Sequence, residues 1–225
     1  ELIRGFLEPV GDHRPDPRAV AHPASLFHAN RLDYEHITKL IPRQASVLDL
    51  ACGSGELLHR LRGAGNAVLM GIEIAESALV DCTRRGLPVV HMDIDEGLGA
   101  FADGQFDVVV LSQTLQAVDD VERVLREMLR VGRRSIVSFP NAAHGRNRRR
   151  FAEQGRAPQA SLTESQRWYD PPPLRLFSIL DFEDLCRTLG LRIERRVALD
   201  LQAGCEVRED ANRHADVAIF VLAGD

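Results

Sequence analysis

The chain has 225 residues and a formal net charge of −5 at pH 7. This length suits a single α/β domain with a full core, and the acidic balance argues against a broad basic surface for nucleic acid. Lysine occurs once, at Lys39, among the 28 basic side chains. The sequence therefore lacks a phosphate-binding loop of the G-x-x-x-x-G-K-[ST] type, and Schiff-base chemistry would depend on Lys39 alone.

The four cysteines, Cys52, Cys82, Cys186 and Cys205, form no C-x-x-C pair. Their spacing disfavours a zinc site, and a chain of this length does not need disulfides, so we expect reduced thiols. The longest apolar run, Val217–Ala223, is too short for a membrane span, and no signal-peptide pattern opens the chain. We expect a cytoplasmic protein without a metal site and without a nucleic-acid or membrane partner.

The first 30 residues carry four prolines and little periodicity, which is typical of an extension or arm. A short helix is predicted over Arg31–Ile41. From Ser46 onward, apolar runs that suit strands alternate with helical patterns. The predicted strands are Ser46–Leu50, Ala67–Ile74, Val89–Asp93, Phe106–Leu111, Ser135–Phe139, Leu191–Leu199 and Val217–Leu222. The predicted helices between them are Gly55–Arg62, Glu76–Arg85, Val121–Val131 and Leu180–Leu189.

This alternation indicates right-handed βαβ units and a doubly wound, mostly parallel sheet covered on both faces. We predict one domain over 31–225, interrupted by a substrate-side insertion over 141–175. The start of the insertion, Asn141–Arg156, holds five arginines and one glutamate. It is interpreted either as a site for an anionic substrate or an acidic partner, or as a solvated helical face.

The most informative motif is Asp49-Leu50-Ala51-Cys52-Gly53-Ser54-Gly55, which follows a predicted strand and opens a helix. Its glycines allow positive φ and the close approach of a ligand to the backbone, and the helix start offers unpaired N–H groups. The alternative is a tight turn that binds nothing. Because no His–acid partner is evident for Cys52, we interpret it as a small residue under the ligand.

Two acidic residues follow the next two strands. Glu73 is placed to accept hydrogen bonds from both hydroxyls of an adenosine ribose, and Asp93 is placed to accept one from the exocyclic amine of adenine. Leu58 stands where a dinucleotide motif has its third glycine, and Asp49 suits a cationic ligand better than a pyrophosphate. These features favour S-adenosylmethionine (SAM) over NAD, and an NAD-binding protein is the weaker alternative.

The motifs VLDLACGSGELL, GIEI, DIDEGL, FDVVVLSQTLQ and FPN resemble those of class I SAM-dependent methyltransferases. LSQTLQ, MLRVGRR, SFPN and WYD are more specific, and they resemble the MetW family of methionine biosynthesis proteins. The resemblance runs from about residue 32 to 200. It implies a Rossmann-like, seven-stranded sheet with an antiparallel last strand, SAM as the cofactor and S-adenosylhomocysteine (SAH) as the product.

The resemblance also implies roles for individual residues. Asp49, Gly53 and Gly55 would line the methionine end, and Ser112 and Gln113 would lie below the methyl group. The full expected cofactor site is Asp49, Ala51, Cys52, Gly53, Gly55, Glu73, Ile74, Asp93, Ile94, Ser112 and Gln113. The family tends to have glycine where Ala51 stands. It also has an aromatic pair around the position of His144, and Asn and His where this chain has Pro173 and Arg175.

Candidates for contact with a substrate or partner are Gln116, Asn141, His144, Trp168 and Tyr169. Of these, His144 and Tyr169 are candidate catalytic residues, because either could move a proton if the methyl acceptor must lose one. The alternatives are that His144 is a surface loop residue and that Trp168 and Tyr169 only pack within the insertion. Methyltransferases that act on the amino groups of nucleic-acid bases carry [DN]-P-P-[YF] after the fourth strand. This chain has Leu111-Ser112-Gln113-Thr114 there, which argues against such a substrate.

Two functions are carried forward. One is a SAM-dependent methyltransferase that acts on a small metabolite. The other is a non-catalytic SAM-binding partner of homoserine O-acetyltransferase, which the MetW resemblance implies.

Overall fold

The computed structural model describes residues 31–66, 68–158 and 173–224. Its helices are α1 Leu32–Leu40, α2 Glu56–Gly63, α3 Glu76–Arg84, α4 Val121–Val131, α5 Gly145–Gln154, α6 Ile179–Leu189 and α7 Ala211–His214. Its strands are β1 Val47–Leu50, β2 Leu69–Glu73, β3 Val89–His91, β4 Phe106–Ser112, β5 Gly132–Pro140, β6 Arg192–Asp200, β7 Cys205–Glu206 and β8 Val217–Ala223. Most of these bounds lie within three residues of those predicted.

The strands form one mixed sheet in the order β3-β2-β1-β4-β5-β8-β6-β7. Strands β1 to β5 pair in parallel, whereas β8 is antiparallel to both β5 and β6. The strand order reverses between β1 and β4, and in doubly wound folds ligands bind outside the carboxyl ends of the strands at this point. The predicted doubly wound sheet and its antiparallel last strand are confirmed.

The core lies on both faces of the sheet, which explains the continuous apolar runs of the central strands. On one face, α1 and α2 pack through side chains such as Ile37 and Leu57. On the other face, α4 and α6 contribute Met128 and Phe182. In β1, Val47 belongs to the first of these clusters and Leu48 and Leu50 to the second, and all four residues of the strand are buried. The sheet is therefore a rigid central layer whose carboxyl edge holds the loops in place.

The predicted number of seven strands is wrong, because the described residues form eight. The additional strand, β7, has only two residues and pairs antiparallel with the end of β6, at Leu199 and Asp200. A strand this short shows no alternation of apolar and polar residues, so the sequence pattern did not reveal it.

Helix α5 lies within Asn141–Arg156, the arginine-rich start of the predicted insertion, for which a solvated helical face is one of the two interpretations. It has no buried side chain among its residues, so it shows no apolar periodicity. Its ends explain why it forms, because the His144 ring caps the first turn and Gly155, at φ 63°, ends the last. The division into an arm over 1–30 and an insertion over 141–175 stays a prediction, and both include residues outside the described ranges.

Candidate functional site

The glycine loop joins β1 to α2 through three residues of positive φ. They are Ala51 at 51°, Gly53 at 55° and Gly55 at 75°. A Cβ on Gly55 would lie 2.4 Å from the Leu87 side chain, whereas a Cβ on Gly53 would meet no atom within 4 Å. Gly55 is thus required by packing, and Gly53 leaves its side of the backbone open to a ligand. Ala51 adopts the same left-handed backbone conformation, which is strained for a residue with a Cβ atom.

Glu73 holds the loop from the end of β2. Its side chain is 2% exposed, and its Oε2 accepts a hydrogen bond of 2.7 Å from the Gly53 N–H. Its Oε1 accepts from the N–H groups of Ile74 and Ala75, each at 2.8 Å. Each carboxylate oxygen has more than one acceptor position, so Glu73 can position the loop and still accept from ribose hydroxyls.

Asp49 is a buried acid near the centre of the sheet. It is 2% exposed, and within the described ranges its carboxylate makes no hydrogen bond or salt bridge. Burial is the main cause that raises the pKa of Asp49 to about 8, with the positive charge of Arg31 opposing the rise and the charge of Glu73 adding to it. A cation beside Asp49 would favour its charged form.

A polar network that the sequence analysis missed joins α1 to the end of β4. Arg31 donates to both oxygens of Asp33 at 2.9 and 3.0 Å, and its guanidinium stacks 3.6 Å from the centre of the Tyr34 ring. Arg31 also donates to Ser112 at 2.8 Å, and Gln113 Nε2 donates to Asp33 at 2.7 Å. The signal was Asp33, a charge on the buried face of the predicted helix.

Gln113 and Gln116 present two buried acceptors beside this network. Gln113 has a φ of 52° and is 3% exposed, and Gln116 is 1% exposed. Gln116 Nε2 donates to the Gln113 carbonyl at 2.7 Å. The Oε1 atoms of both glutamines are buried without a hydrogen-bond partner in the described part of the chain. Buried acceptors of this kind call for a donor from a ligand or from water.

Asp93 and Ile94 follow β3 at the same edge of the sheet. Asp93 Oδ1 accepts from the Asp95 N–H at 2.8 Å and so begins a 3-10 turn, which is why β3 ends at His91 rather than at Asp93. Ile94 is 9% exposed. The structure places Asp93 two strands from the glycine loop, with its second oxygen free of any hydrogen bond within the described residues.

Asn141 and His144 follow β5 and have structural partners. Asn141 Nδ2 donates to the carbonyls of Asn212 and Ala215 at 3.1 and 2.9 Å. His144 Nδ1 accepts from the Arg146 N–H at 3.1 Å, and Nε2 lies 3.8 Å from Asp216 Oδ1. Burial lowers the pKa of His144. With Nδ1 occupied, the ring has no free lone pair for a substrate proton in this conformation.

The predicted site residues therefore fall into four groups, one of which is Asp93 and Ile94 after β3. Asp49, the glycine loop and Glu73 come together in direct contact or close electrostatic range. Ser112 accepts from Arg31, whose charge acts on Asp49, and Gln113 donates to Asp33 and accepts from Gln116. Asn141 and His144 lie at the base of α5. Trp168 and Tyr169 lie outside the described residues.

The family described as "Methionine biosynthesis protein MetW" matches residues 31–222 of the chain. The chain belongs to the MetW family. Within the described ranges, no helix combines the length and apolar character needed to cross a membrane. Nor do His, Cys, Asp and Glu residues in those ranges form a group of three that could hold a metal ion.

The bifunctional methionine biosynthesis protein MetXA/MetW of Rhodopirellula baltica is 40% identical over 201 residues, which cover 85% of this MetW-family chain and 32% of that protein. The chain spans between about a quarter and a half of the length of the first curated relatives that it matches.

Solved structures share the fold. A SAM-dependent methyltransferase from Mesorhizobium loti superposes with a TM-score of 0.64 and 16% identity, covering 86% of this chain and 98% of that one. Magnesium protoporphyrin IX methyltransferase from Synechocystis PCC 6803 with bound SAH gives 0.61 at 16% identity, covering 86% and 82%. The chain therefore has the class I methyltransferase fold.

Proposed function

We propose that this MetW-family chain binds SAM at the carboxyl edge of its sheet. The observation that carries the proposal is Asp49, a buried carboxylate without a hydrogen bond or ion pair in the described residues, beside an open glycine loop. Leaving a charge buried and unpaired is costly. SAM carries an ammonium group and a sulfonium, and either cation would stabilise the ionised form of Asp49.

The other residues of the edge fit an adenosine group. Gly53 leaves room for the ligand against the loop backbone, and Glu73 keeps acceptor capacity for ribose hydroxyls. The unpaired oxygen of Asp93 suits an exocyclic amine, and Ile94 offers an apolar contact for the adenine ring. SAM, when bound, supplies an electrophilic methyl group.

We propose methyl transfer to a small metabolite as the activity. The chain's part in such a displacement is alignment and exclusion of water. Gln113 and Gln116 would orient an N–H or O–H group of the acceptor through their unpartnered Oε1 atoms. Because His144 is engaged as a helix cap, we expect an acceptor that needs little help in losing a proton, or one that Tyr169 serves.

Calorimetry with SAM and SAH tests the shared premise. We expect both to bind, and we expect NAD not to bind. Absence of binding at millimolar SAM would refute the proposed site. The activity itself is tested by incubating the protein with SAM and a pool of small metabolites, and by following SAH formation against a Glu73→Ala control.

A second candidate is a non-catalytic SAM-binding partner of homoserine O-acetyltransferase. Its support is the Rhodopirellula relative, whose name joins MetXA and MetW in one protein, together with α5. Arg149, Arg150 and Arg156 make no hydrogen bond or ion pair within the described ranges, and Phe151 is 61% exposed. Arginine and aromatic side chains are the residue types that anchor protein interfaces.

Co-purification with the acetyltransferase and a change in its turnover separate the two candidates. We expect a regulator to bind the acetyltransferase and alter its rate, with the effect depending on SAM. If the two proteins neither associate nor affect one another, the partner function fails and methyl transfer remains.

A further inference from the structure

Two thiols meet directly under the glycine loop, and the proposed function does not use their chemistry. Cys52 lies within the loop, and Cys82 lies on α3, the helix that follows β2. Their sulfur atoms are 4.0 Å apart. Both side chains are buried, at 4% and 0% exposure. Among the described residues, no His or acid forms a hydrogen bond with the Cys52 thiol as it would in a cysteine enzyme, so the pair itself is the notable feature.

The surroundings of the pair depend on two glycines. A Cβ on Gly71 would lie 2.6 Å from Cys52 Sγ, and a Cβ on Gly55 would lie 3.0 Å from Cys82 Sγ. Any side chain at either position would push a sulfur atom out of its place. The two sulfurs therefore face each other in a space that β2 and the glycine loop leave open for them.

The Cys82 thiol is also bonded to the loop. It donates to the Gly53 carbonyl at 3.2 Å, while the N–H of the same residue donates to Glu73. A change at Cys82 therefore acts on the peptide groups that flank the proposed ligand position. The hydrogen bond from Cys52 lowers the pKa of the Cys82 thiol, and that bond together with burial raises the pKa of Cys52.

We propose that Cys52 and Cys82 form a redox-modification site in which a peroxide converts the two thiols into a disulfide that weakens SAM binding. The sulfurs must approach from 4.0 Å to about 2.05 Å. That movement removes the thiol donor from the Gly53 carbonyl and pulls the loop toward α3. The effect on SAM rests on the proposed function, whereas disulfide formation does not.

The chemistry balances in two steps. The Cys82 thiolate attacks hydrogen peroxide, the O–O bond breaks, and sulfenic acid forms at Cys82 while the released hydroxide takes up the thiol proton as water. The Cys52 sulfur then attacks the sulfenic sulfur and releases a second water. In total, two thiols and one peroxide give one disulfide and two waters. A dithiol reductant reverses the modification.

The other two cysteines serve as internal references. Cys205 is exposed on β7 and would react with oxidants at the surface. Cys186 is buried in α6, and burial raises the pKa of its thiol to about 11, so it should be unreactive. The test therefore uses Cys205→Ser as the parent protein and Cys205→Ser/Cys82→Ala as its matched control.

Both proteins are treated with hydrogen peroxide, quenched, alkylated under denaturing conditions and analysed by intact mass and non-reduced peptide mapping. We expect the parent to lose two hydrogens, to protect two cysteines from alkylation and to yield a linked peptide that contains Cys52 and Cys82. Dithiothreitol should restore alkylation. The control should leave Cys52 open to alkylation. Oxygen addition without a link, or two thiols that remain alkylated, would overturn the proposal.

Calorimetry then compares the SAM affinity of reduced, oxidised and re-reduced protein. We expect oxidation to weaken the affinity of the parent about tenfold, which corresponds to loss of a well-placed hydrogen bond at the loop, and re-reduction to restore it. The control should show the same affinity before and after peroxide. A disulfide that leaves SAM affinity unchanged would overturn the regulatory role. If reduced protein fails to bind SAM, the proposed function and this role fall together, while the mass result still decides disulfide formation.

Discussion

The carboxyl edge of the sheet and helix α5 are neighbours in the chain but differ in their physical character. At the edge, acidic groups are buried and held by backbone donors, as Glu73 is by Gly53. On α5, Arg148 and Arg149 are exposed and Arg150 is half-buried, and Arg149 and Arg150 have no partner in the described ranges. We therefore propose a small cationic ligand for the edge and a larger anionic partner for the helix.

Buried and exposed charges differ in how strongly they indicate a binding site. Burial makes a single unpaired charge informative, because the interior offers it no solvent. An exposed charge carries little information by itself, because water satisfies it. Asp49 alone therefore argues for a ligand, whereas α5 needs the fused relative before a partner can be proposed.

Glu73→Ala should have the largest effect, because it leaves the buried N–H groups of Gly53, Ile74 and Ala75 without their acceptor. We expect the free energy of unfolding to fall by about 3–5 kcal/mol and SAM binding to be lost. Denaturant unfolding and calorimetry measure the two effects. Glu76→Ala, at an exposed position of α3, is the control and should change stability by less than about 0.5 kcal/mol. Equal losses in both variants would contradict the role of Glu73.

Asp49→Asn should act in opposite directions on stability and on binding. The folded-state pKa of about 8 lies above the unfolded value of about 3.9, so the folded state binds more protons and wild-type stability falls as pH rises between these values. The variant should be more stable at pH 8 by about 2–4 kcal/mol, with the gain vanishing near pH 4. Its SAM affinity should fall about 10–100-fold. A variant that is destabilised at pH 8 would show that Asp49 is satisfied by the protein alone.

Charge reversal on α5 tests the other region. Arg149→Glu/Arg150→Glu should weaken association with homoserine O-acetyltransferase about tenfold or more, and it should leave SAM affinity and stability nearly unchanged. Pull-down and calorimetry provide the readouts. Arg84→Glu/Arg187→Glu, which reverses two exposed arginines of α3 and α6 that have ion pairs with Asp81 and Asp184, is the matched control. Equal loss in the control would mean that net charge, rather than α5, governs the association.

Ala51→Gly should have the smallest effect. The φ of 51° costs alanine about 1 kcal/mol relative to glycine, which the more flexible unfolded chain of the variant partly offsets. We expect the free energy of unfolding to rise by up to about 1 kcal/mol and SAM affinity to stay within about twofold. A destabilised variant would show that the loop holds Ala51 for its side chain.

The elements that could be predicted from the sequence are those in which many residues follow one pattern of apolar or glycine positions. Central strands such as β4 are buried on both faces and read as continuous apolar runs, and Gly53 and Gly55 mark the loop. Residues such as Glu73 could be assigned to the edge because parallel strands end together. The three hydrogen bonds that Glu73 accepts from backbone N–H groups could not be predicted, because they depend on the geometry of the turns.

Other features lacked a signal that sequence alone carries. Helix α5 buries none of its side chains, so it has no apolar face to reveal its period. The Arg31–Asp33 pair joins α1 to residues about 80 positions away, and no local pattern reports such a contact. His144 was a reasonable candidate base from its position after β5, but no local pattern showed that its ring would cap α5.

If Asp49 meets a cationic group of SAM, binding should release the proton that Asp49 carries in the free protein. At pH 7 a group with a pKa of about 8 is mostly protonated, and a bound cation would ionise it. Calorimetry in two buffers of different ionisation enthalpy should therefore show release of about one proton per SAM in the wild type and none in Asp49→Asn. SAM binding without proton release in the wild type would contradict the account.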